Sequence, residues 1–277
     1  MIIFDNHLHL RRDGRYLEAV KEFINAGGTH FILAQYPMPD LVIKEKRYLP
    51  CYHHTLDMAR EIQQALPVKV YTTIGPYPVD YLKLTNQFGR DQAIAIMKKG
   101  MDEAAHLIQD HQAIGIGEIG RPHFPVDDHI LSDSNDIMVY GMQRAKDVGC
   151  PVILHTESTT PSQCKELMKL GKTVGLSAEK IVKHFAPPLI TPEENYGLMP
   201  SVLSSRKNII NALEKGSRFL METDYIDDPK RPGAVLGPKT VPKVTNSVLT
   251  NGLMTELQSE QIHKINPEKT YNISLEE

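Results

Sequence analysis

Six side chains of metal-binding type lie at the ends of separate apolar runs in this chain. They are His7, His9, Glu118, His155, His184 and Asp224. Imidazole and carboxylate groups are ligands that suit Zn²⁺, Mn²⁺, Fe²⁺ or Co²⁺. Each follows a short run rich in Ile, Val, Leu or Phe, so all six stand at the C-terminal end of a predicted strand. One position repeated in this way predicts a single convergent site at the mouth of a parallel barrel.

The metal prediction rests on the whole set rather than on any single residue. Residues two apart in a strand point to the same side, so His7 and His9 project together. A lone pair of this kind is more typical of buried histidines that bond to backbone carbonyls. Glu118 lies inside an apolar run, where an ionised carboxylate is costly unless it is paired or bound to a cation.

Six ligands predict two metal ions, because a single catalytic zinc usually takes three protein ligands. We expect His7, His9, Asp224 and Glu118 on the first ion, and Glu118, His155 and His184 on the second, with Glu118 as the bridge. A bridging water acidified toward a pKa of about 7 would act as hydroxide. Asp224 would then accept the proton and pass it to the leaving group. We expect zinc in the isolated protein, with Mn, Mg, Fe and Co as alternatives.

The elements that must position these residues follow from the hydrophobic pattern. The predicted strands are residues 2–7, 29–35, 68–75, 113–118, 151–156, 181–185, 197–202 and 219–224. The predicted helices are residues 16–26, 53–65, 91–110, 135–148, 162–170 and 205–215. Alternating strands and helices predict a parallel sheet with helical crossovers, and near-continuous apolar strands predict burial on both faces.

The predicted fold is α/β, a (β/α)₈ TIM-like barrel that forms one domain over residues 1–277. An open doubly wound sheet is the alternative, but it normally carries a phosphate-binding glycine motif after the first strand. Here the first strand ends in His7-Leu8-His9. The predicted substrate loops lie near residues 36–52 and 225–243, after strands and therefore on the active-site face.

Four residues outside the ligand set are predicted to bind substrate: Arg121, His123, Tyr36 and Tyr225. Arg121 and His123 follow Glu118 and would reach a phosphate or carboxylate of the substrate. The alternative for Arg121 is an ion pair with Asp127 or Asp128. The two tyrosines each follow a strand directly, although tyrosine is also common at barrel rims. Asp5 and Glu157 would orient ligands from behind.

The composition is that of an ordinary globular protein, with 41% hydrophobic and 23% charged residues. The net charge of −3 predicts no large nucleic-acid surface. Three cysteines without a CxxC pair predict reduced thiols. No signal peptide and no membrane span is predicted, so we expect a cytoplasmic protein with a small-molecule or short anionic substrate. The oligomeric state stays open.

The motifs taken together resemble the TatD branch of the amidohydrolase superfamily, over roughly residues 1–265. The matching motifs are His7-Leu8-His9, Gly117-Glu118-Ile119-Gly120, His155, His184 and Glu222-Thr223-Asp224. The resemblance implies a distorted (β/α)₈ barrel, a divalent metal pair and a hydrolytic, often phosphodiester-cleaving, activity. Phosphotriesterases place a carboxylated lysine where this chain has Glu118, so the chain looks closer to TatD.

Three departures from the TatD pattern concern the substrate. TatD nucleases usually carry Gly-Leu-Asp after the glutamate, where this chain has Gly120-Arg121-Pro122. They tend to carry an arginine two residues after the fifth-strand histidine, and Glu157 stands there. Their His-Cys-Phe-Ser-Gly is here His184-Phe185-Ala186-Pro187-Pro188. The chain looks nearest to an uncharacterised archaeal-type group of TatD-related hydrolases. The resemblance therefore supports the metal core but not a DNase activity.

The function predicted first is hydrolysis of a phosphoester. Six basic residues of the loops favour an anionic substrate: Lys44, Lys46, Arg47, Arg121, Lys230 and Arg231. The second hypothesis keeps the metal pair but places a carbonyl at the reacting centre, in a lactone, an ester or a cyclic amide. A remote third is a barrel that binds metal without catalysis, for which a closed, thiolate-rich site would be typical.

Overall fold

The computed structural model describes residues 1–276, and its centre is one sheet of nine parallel strands. The strands are β1 (Phe4–His9), β2 (His30–Ala34), β3 (Lys69–Ile74), β4 (Gly115–Gly120), β5 (Val152–His155), β6 (Ile181–Ala186), β7 (Met199–Leu203), β8 (Leu220–Glu222) and β9 (Tyr225–Ile226). Neighbours in sequence are neighbours in the sheet, whose order is β8-β7-β6-β5-β4-β3-β2-β1-β9.

Helices connect successive strands on the outside of the sheet. They are α1 (Leu17–Asn25), α2 (Pro39–Glu45), α3 (Leu49–Ala65), α4 (Asp80–Phe88), α5 (Arg90–Gln109), α6 (Asp128–Val148), α7 (Pro161–Thr173), α8 (Pro192–Asn195), α9 (Arg206–Leu213), α10 (Thr240–Thr250), α11 (Glu256–Glu260) and α12 (Asn266–Tyr271). A 3₁₀ turn covers Ala178–Lys180, and a π-helical turn at Gln261–Ile265 joins α11 to α12.

The sheet curls into a barrel because its last strands return to the first. β9 follows β8 after two residues and pairs with β1 in parallel, with Leu8 opposite Tyr225 and His9 opposite Ile226. Between these strands, the backbone N–H of Asp224 donates to the carbonyl of His7 at 2.9 Å. The predicted (β/α)₈ TIM-like barrel is confirmed.

Strands buried on both faces are also confirmed, since every residue of β1, β2 and β4 is buried. Apolar side chains such as Phe4, Ile153 and Val182 form one cluster with Tyr271 and Leu275 from the C-terminal segment. Burial of this apolar surface provides the main driving force for the barrel.

The segment 36–52 was predicted to be a loop, but most of it is helical in the structure. Helix α2 fills Pro39–Glu45, with its proline in the first turn, and α3 already begins at Leu49. Proline suits a first turn because its missing N–H has no helical partner there, and Val42 is buried against the core. In the segment 225–243, β9 occupies the start and α10 begins at Thr240.

Other differences are local. Helix α4 and the C-terminal helices were not predicted. The predicted last strand 219–224 stops at Glu222, because Asp224 adopts a left-handed backbone conformation (φ 46°), which Asp tolerates better than most residues. Residue 277, the end of the predicted domain, lies outside the described residues. Within residues 1–276, no helix is both long and apolar enough to cross a membrane.

Candidate metal centre

The glycines of β4 allow Glu118 to approach the neighbouring strand closely. A Cβ atom on Gly117 would lie 2.6 Å from Cβ of Ile153, and one on Gly120 would lie 2.0 Å from the carbonyl oxygen of His155. Such contacts are far shorter than van der Waals distances, so these two positions require glycine. The glycines around Glu118 therefore serve strand packing.

The six predicted ligands converge at the C-terminal ends of the strands. Nε2 of His7 lies 3.1 Å from Nε2 of His9 and 3.4 Å from Oε1 of Glu118. Oδ1 of Asp224 lies 3.7 Å from Nε2 of His9 and 3.9 Å from Nε2 of His7. These atoms come from β1, from β4 and from the turn after β8, which only the closed barrel brings together.

Oε1 of Glu118 also meets the two remaining histidines. It lies 3.0 Å from Nε2 of His184 and 3.1 Å from Nδ1 of His155. The other carboxylate oxygen, Oε2, lies 3.6 Å from Nε2 of His9. The two oxygens of Glu118 thus face different histidines, the geometry that a bridging carboxylate needs.

Two of the histidines are oriented from behind. Nδ1 of His9 lies 3.2 Å from the carbonyl oxygen of Ala34, and Nδ1 of His184 lies 2.9 Å from Oε1 of Glu222. A proton on Nδ1 in each ring would leave the lone pair of Nε2 directed into the site, which is how metal-binding histidines are commonly held.

Asp224 is positioned by the first strand. Oδ1 of Asp5 accepts the backbone N–H of Thr223 at 3.0 Å, and its Oδ2 accepts the Thr223 hydroxyl at 2.7 Å. Asp5 was expected to orient a ligand from behind, and it bonds the residue that precedes Asp224 and the backbone N–H of His7. Burial raises the pKa of Asp5 to about 7, against the bonds from Thr223.

The electrostatics of the site come from buried carboxylates and imidazoles that lie against one another. Burial alone raises the pKa of Glu118, but His184 and His155 outweigh it and hold that pKa well below its usual value. Burial raises the pKa of Asp224 to about 8, with Glu118 and Glu222 adding to the effect and His184 opposing it. Burial lowers the pKa of His9 to about 3. Burial also opposes the charged form of His184, yet Glu222, Asp224 and Glu118 raise its pKa well above its usual value.

This donor set fits divalent metal ions. Two groups have ligand atoms within 4.8 Å of one another, His7 with His9 and Asp224, and His7 with Glu118 and His184. All these side chains are buried, and a buried carboxylate requires a compensating positive charge. Thiolates are absent from both groups, so a closed structural zinc site is not indicated among the described residues.

His155 stands at the edge of this cluster and belongs to neither group. Its Nε2 lies 2.9 Å from Nδ1 of His123 and 3.5 Å from the hydroxyl of Tyr77. Burial lowers the pKa of both histidines. His123, predicted to bind substrate, thus lies beside a predicted ligand on the cavity wall.

A cavity of about 750 Å³ opens above the ligands. His9, Glu118, His155, His184 and Asp224 line it, and so does the predicted substrate residue Tyr36. Further lining comes from residues outside the predicted ligands and substrate-binding residues: Pro37, Tyr77, Val79, Lys83, Glu157, Phe185, Ile226 and Arg231. Six of the lining residues are apolar or carry a Phe or Tyr ring, and the lysine and arginine of the wall are Lys83 and Arg231.

Two of the predicted substrate-binding residues, Arg121 and Tyr225, do not line the cavity. Arg121 is buried, and its guanidinium pairs with Glu157 at 2.6 Å and with Glu166 at 2.7 Å. The alternative partners Asp127 and Asp128 are therefore wrong, although an ion pair is what the arginine forms. The hydroxyl of Tyr225 donates to Asp227 at 3.0 Å, and its ring packs in an apolar cluster with residues of β1 and α1.

The comparisons agree with this architecture. The family model described as TatD related DNase matches residues 4–272. The chain belongs to this family. It is therefore a hydrolase of the TatD type, as its motifs indicated. An uncharacterized protein of Methanocaldococcus jannaschii is 38% identical over 280 residues, which cover 99% of this chain and 97% of that protein.

Three solved structures show the same fold at low identity. The phosphotriesterase homology protein of Escherichia coli, with phosphate in its active site, has a TM-score of 0.64 and 13% identity, covering 97% of this chain and 98% of that one. A phosphotriesterase-like lactonase mutant of Deinococcus radiodurans has a TM-score of 0.62 and 13% identity, covering 97% and 95%. A TatD homolog of Escherichia coli has a TM-score of 0.56 and 17% identity, covering 98% of both chains.

Within this TatD-type barrel, sequence reasoning missed Glu222, Tyr77, Lys83 and Phe185. Glu222 had a signal, because it lies in an apolar strand as Glu118 does. Tyr77 and Lys83 follow β3, and Phe185 lies near the end of β6. At such positions the periodicity of apolar residues does not show in which direction a side chain points. Their positions in the cavity depend on how the connections fold back over the barrel.

Proposed function

We propose that the protein is a divalent-metal-dependent hydrolase of a phosphoester. The observation that carries this proposal is the pair of ligand groups, joined through His7, on the floor of a solvent-reachable cavity. His7, His9 and Asp224 are proposed for one ion, and Glu118 and His184, with His155 beside them, for the second. Glu118 is proposed as the bridge, since its two oxygens face His9 and His184.

The metal ions supply Lewis acidity and an activated water at neutral pH. Asp224 is proposed to accept the proton of the attacking water, because its carboxylate lies against both first-strand histidines and lines the cavity. His9 and His184 keep their Nε2 atoms directed inward through Ala34 and Glu222. The proton then passes from Asp224 to the leaving group.

The cations near the site favour a small anionic group rather than a polymer. Of the six basic residues used to argue for an anionic substrate, Arg231 alone lines the cavity. Arg47 and Arg121 pair with acids and do not line the cavity. Arg231 pairs with Asp228 through Nε at 3.1 Å, and its side chain still reaches the cavity wall. Lys83 adds a second cation to the wall, and its charge also opposes the rise in the pKa of Asp80. We propose that Lys83 and Arg231 bind the anionic part of the substrate.

A second candidate function keeps the metal ions and hydrolyses a lactone, an ester or a cyclic amide. The wall supports it, because Val79, Phe185 and Ile226 offer apolar surface and Glu157 places a carboxylate in the cavity. A carboxylate repels a polyanion, whereas a neutral ring tolerates it. A barrel that binds metal without catalysis is the third candidate.

A substrate panel tests these alternatives. The protein, loaded with Mn²⁺ or Zn²⁺, is assayed with p-nitrophenyl phosphodiesters, p-nitrophenyl phosphate and a series of lactones. Phosphoester turnover supports the proposal, and turnover of lactones alone contradicts it. A metal-loaded protein without turnover on any of them favours the non-catalytic barrel.

Matched variants show whether the wall cations select the substrate. Lys83→Gln is expected to lower kcat/KM for the phosphodiester about tenfold, the effect of one charge-assisted contact of about 1.4 kcal/mol, and to leave lactone turnover unchanged. Lys44→Gln is the control, because Lys44 is exposed and pairs with Glu45. Equal losses on both substrate classes would remove Lys83 as an anion anchor.

A further inference from the structure

A chain of buried polar groups crosses the apolar interior of the barrel. Its members are Tyr271, Asn6, Ser201 and Glu222, each at most 3% exposed. The hydroxyl of Tyr271 donates to Oδ1 of Asn6 at 2.8 Å, and Nδ2 of Asn6 donates to Oγ of Ser201 at 2.9 Å. The hydroxyl of Ser201 donates to Oε2 of Glu222. We call these four residues the interior relay.

The interior relay ends at the candidate metal centre. Oε1 of Glu222 accepts the backbone N–H of Phe185 at 2.7 Å and lies 2.9 Å from Nδ1 of His184. On the other side of the same ring, Nε2 of His184 lies 3.0 Å from Glu118. Every donor of the relay points toward the Glu222 carboxylate, so each bond polarises the next in the same direction.

The far end of the relay is anchored at the opposite end of the barrel. Nδ2 of Asn266, at the start of α12, donates to the carbonyl oxygens of Ser217 and Phe219, just before β8. Nζ of Lys180, just before β6, donates to the carbonyl oxygen of Thr270 at 2.7 Å. These bonds fix the segment that carries Tyr271 against the N-terminal ends of the strands.

Polar groups at these positions require a reason, because Tyr271 packs in a cluster of apolar side chains. Phe4, Ile153, Val182 and Leu220 belong to the same cluster. A buried hydroxyl or amide contributes little net stability even when it is fully bonded, and it is costly when one partner is missing. Stability alone therefore gives a weak account of four such residues in series.

We propose that the interior relay positions His184 for metal binding and thereby makes the C-terminal segment part of the metal centre. With its carboxylate held by Ser201 and Phe185, Glu222 keeps one orientation and so fixes the ring of His184. Tyr271 and Asn6 hold Ser201 in turn. This inference rests on the proposed metal site, and the four residues are positioning residues that do not touch substrate.

The test measures metal affinity in two pairs of variants that remove one hydroxyl each. Ser201→Ala is paired with Ser134→Ala, because Ser134 is also buried and its hydroxyl has no hydrogen-bond partner among the described residues. Tyr271→Phe is paired with Tyr71→Phe, because the Tyr71 hydroxyl bonds the same C-terminal segment, at the Ser274 carbonyl, outside the relay. Binding of Zn²⁺ is followed by competition with a chromophoric chelator, and folding by thermal unfolding of the metal-free proteins.

The expected losses of affinity decrease along the relay. Ser201→Ala is expected to weaken Zn²⁺ binding about 10- to 30-fold and Tyr271→Phe about 2- to 5-fold, whereas both controls stay within about 2-fold of the wild type. If these hydroxyls only stabilise the fold, a variant and its control that lose the same thermal stability should bind Zn²⁺ equally well. A difference in Zn²⁺ affinity within a pair therefore supports a positioning role.

The outcomes separate this inference from the proposed function. Wild-type affinity in both Ser201→Ala and Tyr271→Phe, with metal bound, would overturn the relay and leave the metal site in place. A loss in Ser201→Ala alone would overturn the part assigned to the C-terminal segment. A wild-type protein that binds no Zn²⁺, Mn²⁺ or Co²⁺ would overturn the proposed function and the relay together.

Discussion

The ligands of the candidate metal centre fall into two halves, according to whether groups outside the cavity hold their side chains in place. His9, His184 and Asp224, which we call the backed ligands, are held by Ala34, by Glu222 and by the β8–β9 turn. Among the described residues, the hydrogen-bond partners of the side chain of His155, the open ligand, all line the cavity themselves: Glu118, His123 and Tyr77. Its side chain is 16% exposed, against 5% for His9 and 2% for His184.

This difference indicates a division of work within the site. Groups fixed by buried bonds are preorganised for a metal ion before substrate arrives, which lowers the cost of binding. A histidine bonded only to other cavity residues can exchange one partner for another when a ligand enters. The ion proposed for His7, His9 and Asp224 has two backed ligands and is therefore expected to be the tighter one. The ion proposed for Glu118, His184 and His155 includes the open ligand and is expected to be the weaker one.

The largest expected effect comes from replacing Glu118, whose carboxylate lies beside the backed ligands His9 and His184 and beside the open ligand His155. Glu118→Ala is expected to reduce turnover at least about a thousandfold, because the charge and the bridge for two cations disappear together. Elemental analysis should show a fall from about two metal ions per chain to one or fewer. One ion per chain in the wild type, unchanged in the variant, would contradict the bridge.

The control for this variant is Asp136→Asn, an exposed carboxylate on α6. It should keep wild-type metal content and turnover. Circular dichroism of both variants shows whether the barrel has folded, which separates a loss of chemistry from a loss of structure.

The support behind the backed ligands is tested next. Glu222→Gln is expected to weaken metal binding about 10- to 100-fold, because the neutral amide no longer stabilises the proton on Nδ1 of His184. Glu103→Gln is the matched control, since Glu103 also accepts backbone N–H groups, from Tyr48 and Leu49, but lies outside the site. Unchanged affinity in Glu222→Gln would remove the distinction between the two halves.

A smaller effect is expected at the open ligand. His123→Ala should lower kcat/KM about tenfold, because His123 lines the cavity beside His155, and should change metal affinity less than about threefold. His129→Ala, an exposed histidine on α6, is the control. A fall in affinity as large as that of Glu222→Gln would show that both halves are equally supported.

The smallest expected effect comes from Asp80, a buried carboxylate that does not line the cavity. Replacing it tests the free energy of unfolding apart from metal binding. Burial raises the pKa of Asp80 from 3.8 to about 7, against a hydrogen bond from the Tyr48 hydroxyl. The folded state therefore binds a proton more tightly than the unfolded state, so this stabilisation is complete below about pH 4 and is lost as the pH rises through about 7.

Asp80→Asn should accordingly be more stable than the wild type at pH 8, by about 1–2 kcal/mol, and should gain nothing at pH 4. Urea unfolding at both values measures the difference. A constant difference between the two pH values would show that Asp80 is ionised in the folded protein throughout. Metal affinity should not change, because Asp80 does not line the cavity.

The sequence was sufficient for the framework and for the chemistry of the ligands. The predicted strands agree with the structure within a few residues, since buried parallel strands read as continuous apolar runs between glycine and proline signals. Polar residues at the ends of those runs identified the six candidate ligands, and the barrel brings them together. Their role as ligands stays a prediction.

The segments that the sequence described poorly are those whose structure depends on distant residues. Helix α2 forms in a stretch with two prolines, where local signals favoured a loop, because Val42 is buried against the core cluster. Arg121 looked like a substrate arginine from its distance to Glu118, but Glu157 and Glu166 take its guanidinium. Neither partner is close to it in sequence.

By itself, the sequence determined that β1, β4, β5, β6 and β8 carry imidazole and carboxylate groups toward one end of a parallel barrel, because strand periodicity is a local property of the chain. The tertiary structure alone decided which of these ligands are supported. The contacts of His9 with the Ala34 carbonyl and of His184 with the Glu222 carboxylate join residues far apart in the chain, as does the hydrogen bond that Tyr271 donates to Asn6. Such contacts exist only once the barrel has closed, so no local pattern encodes them.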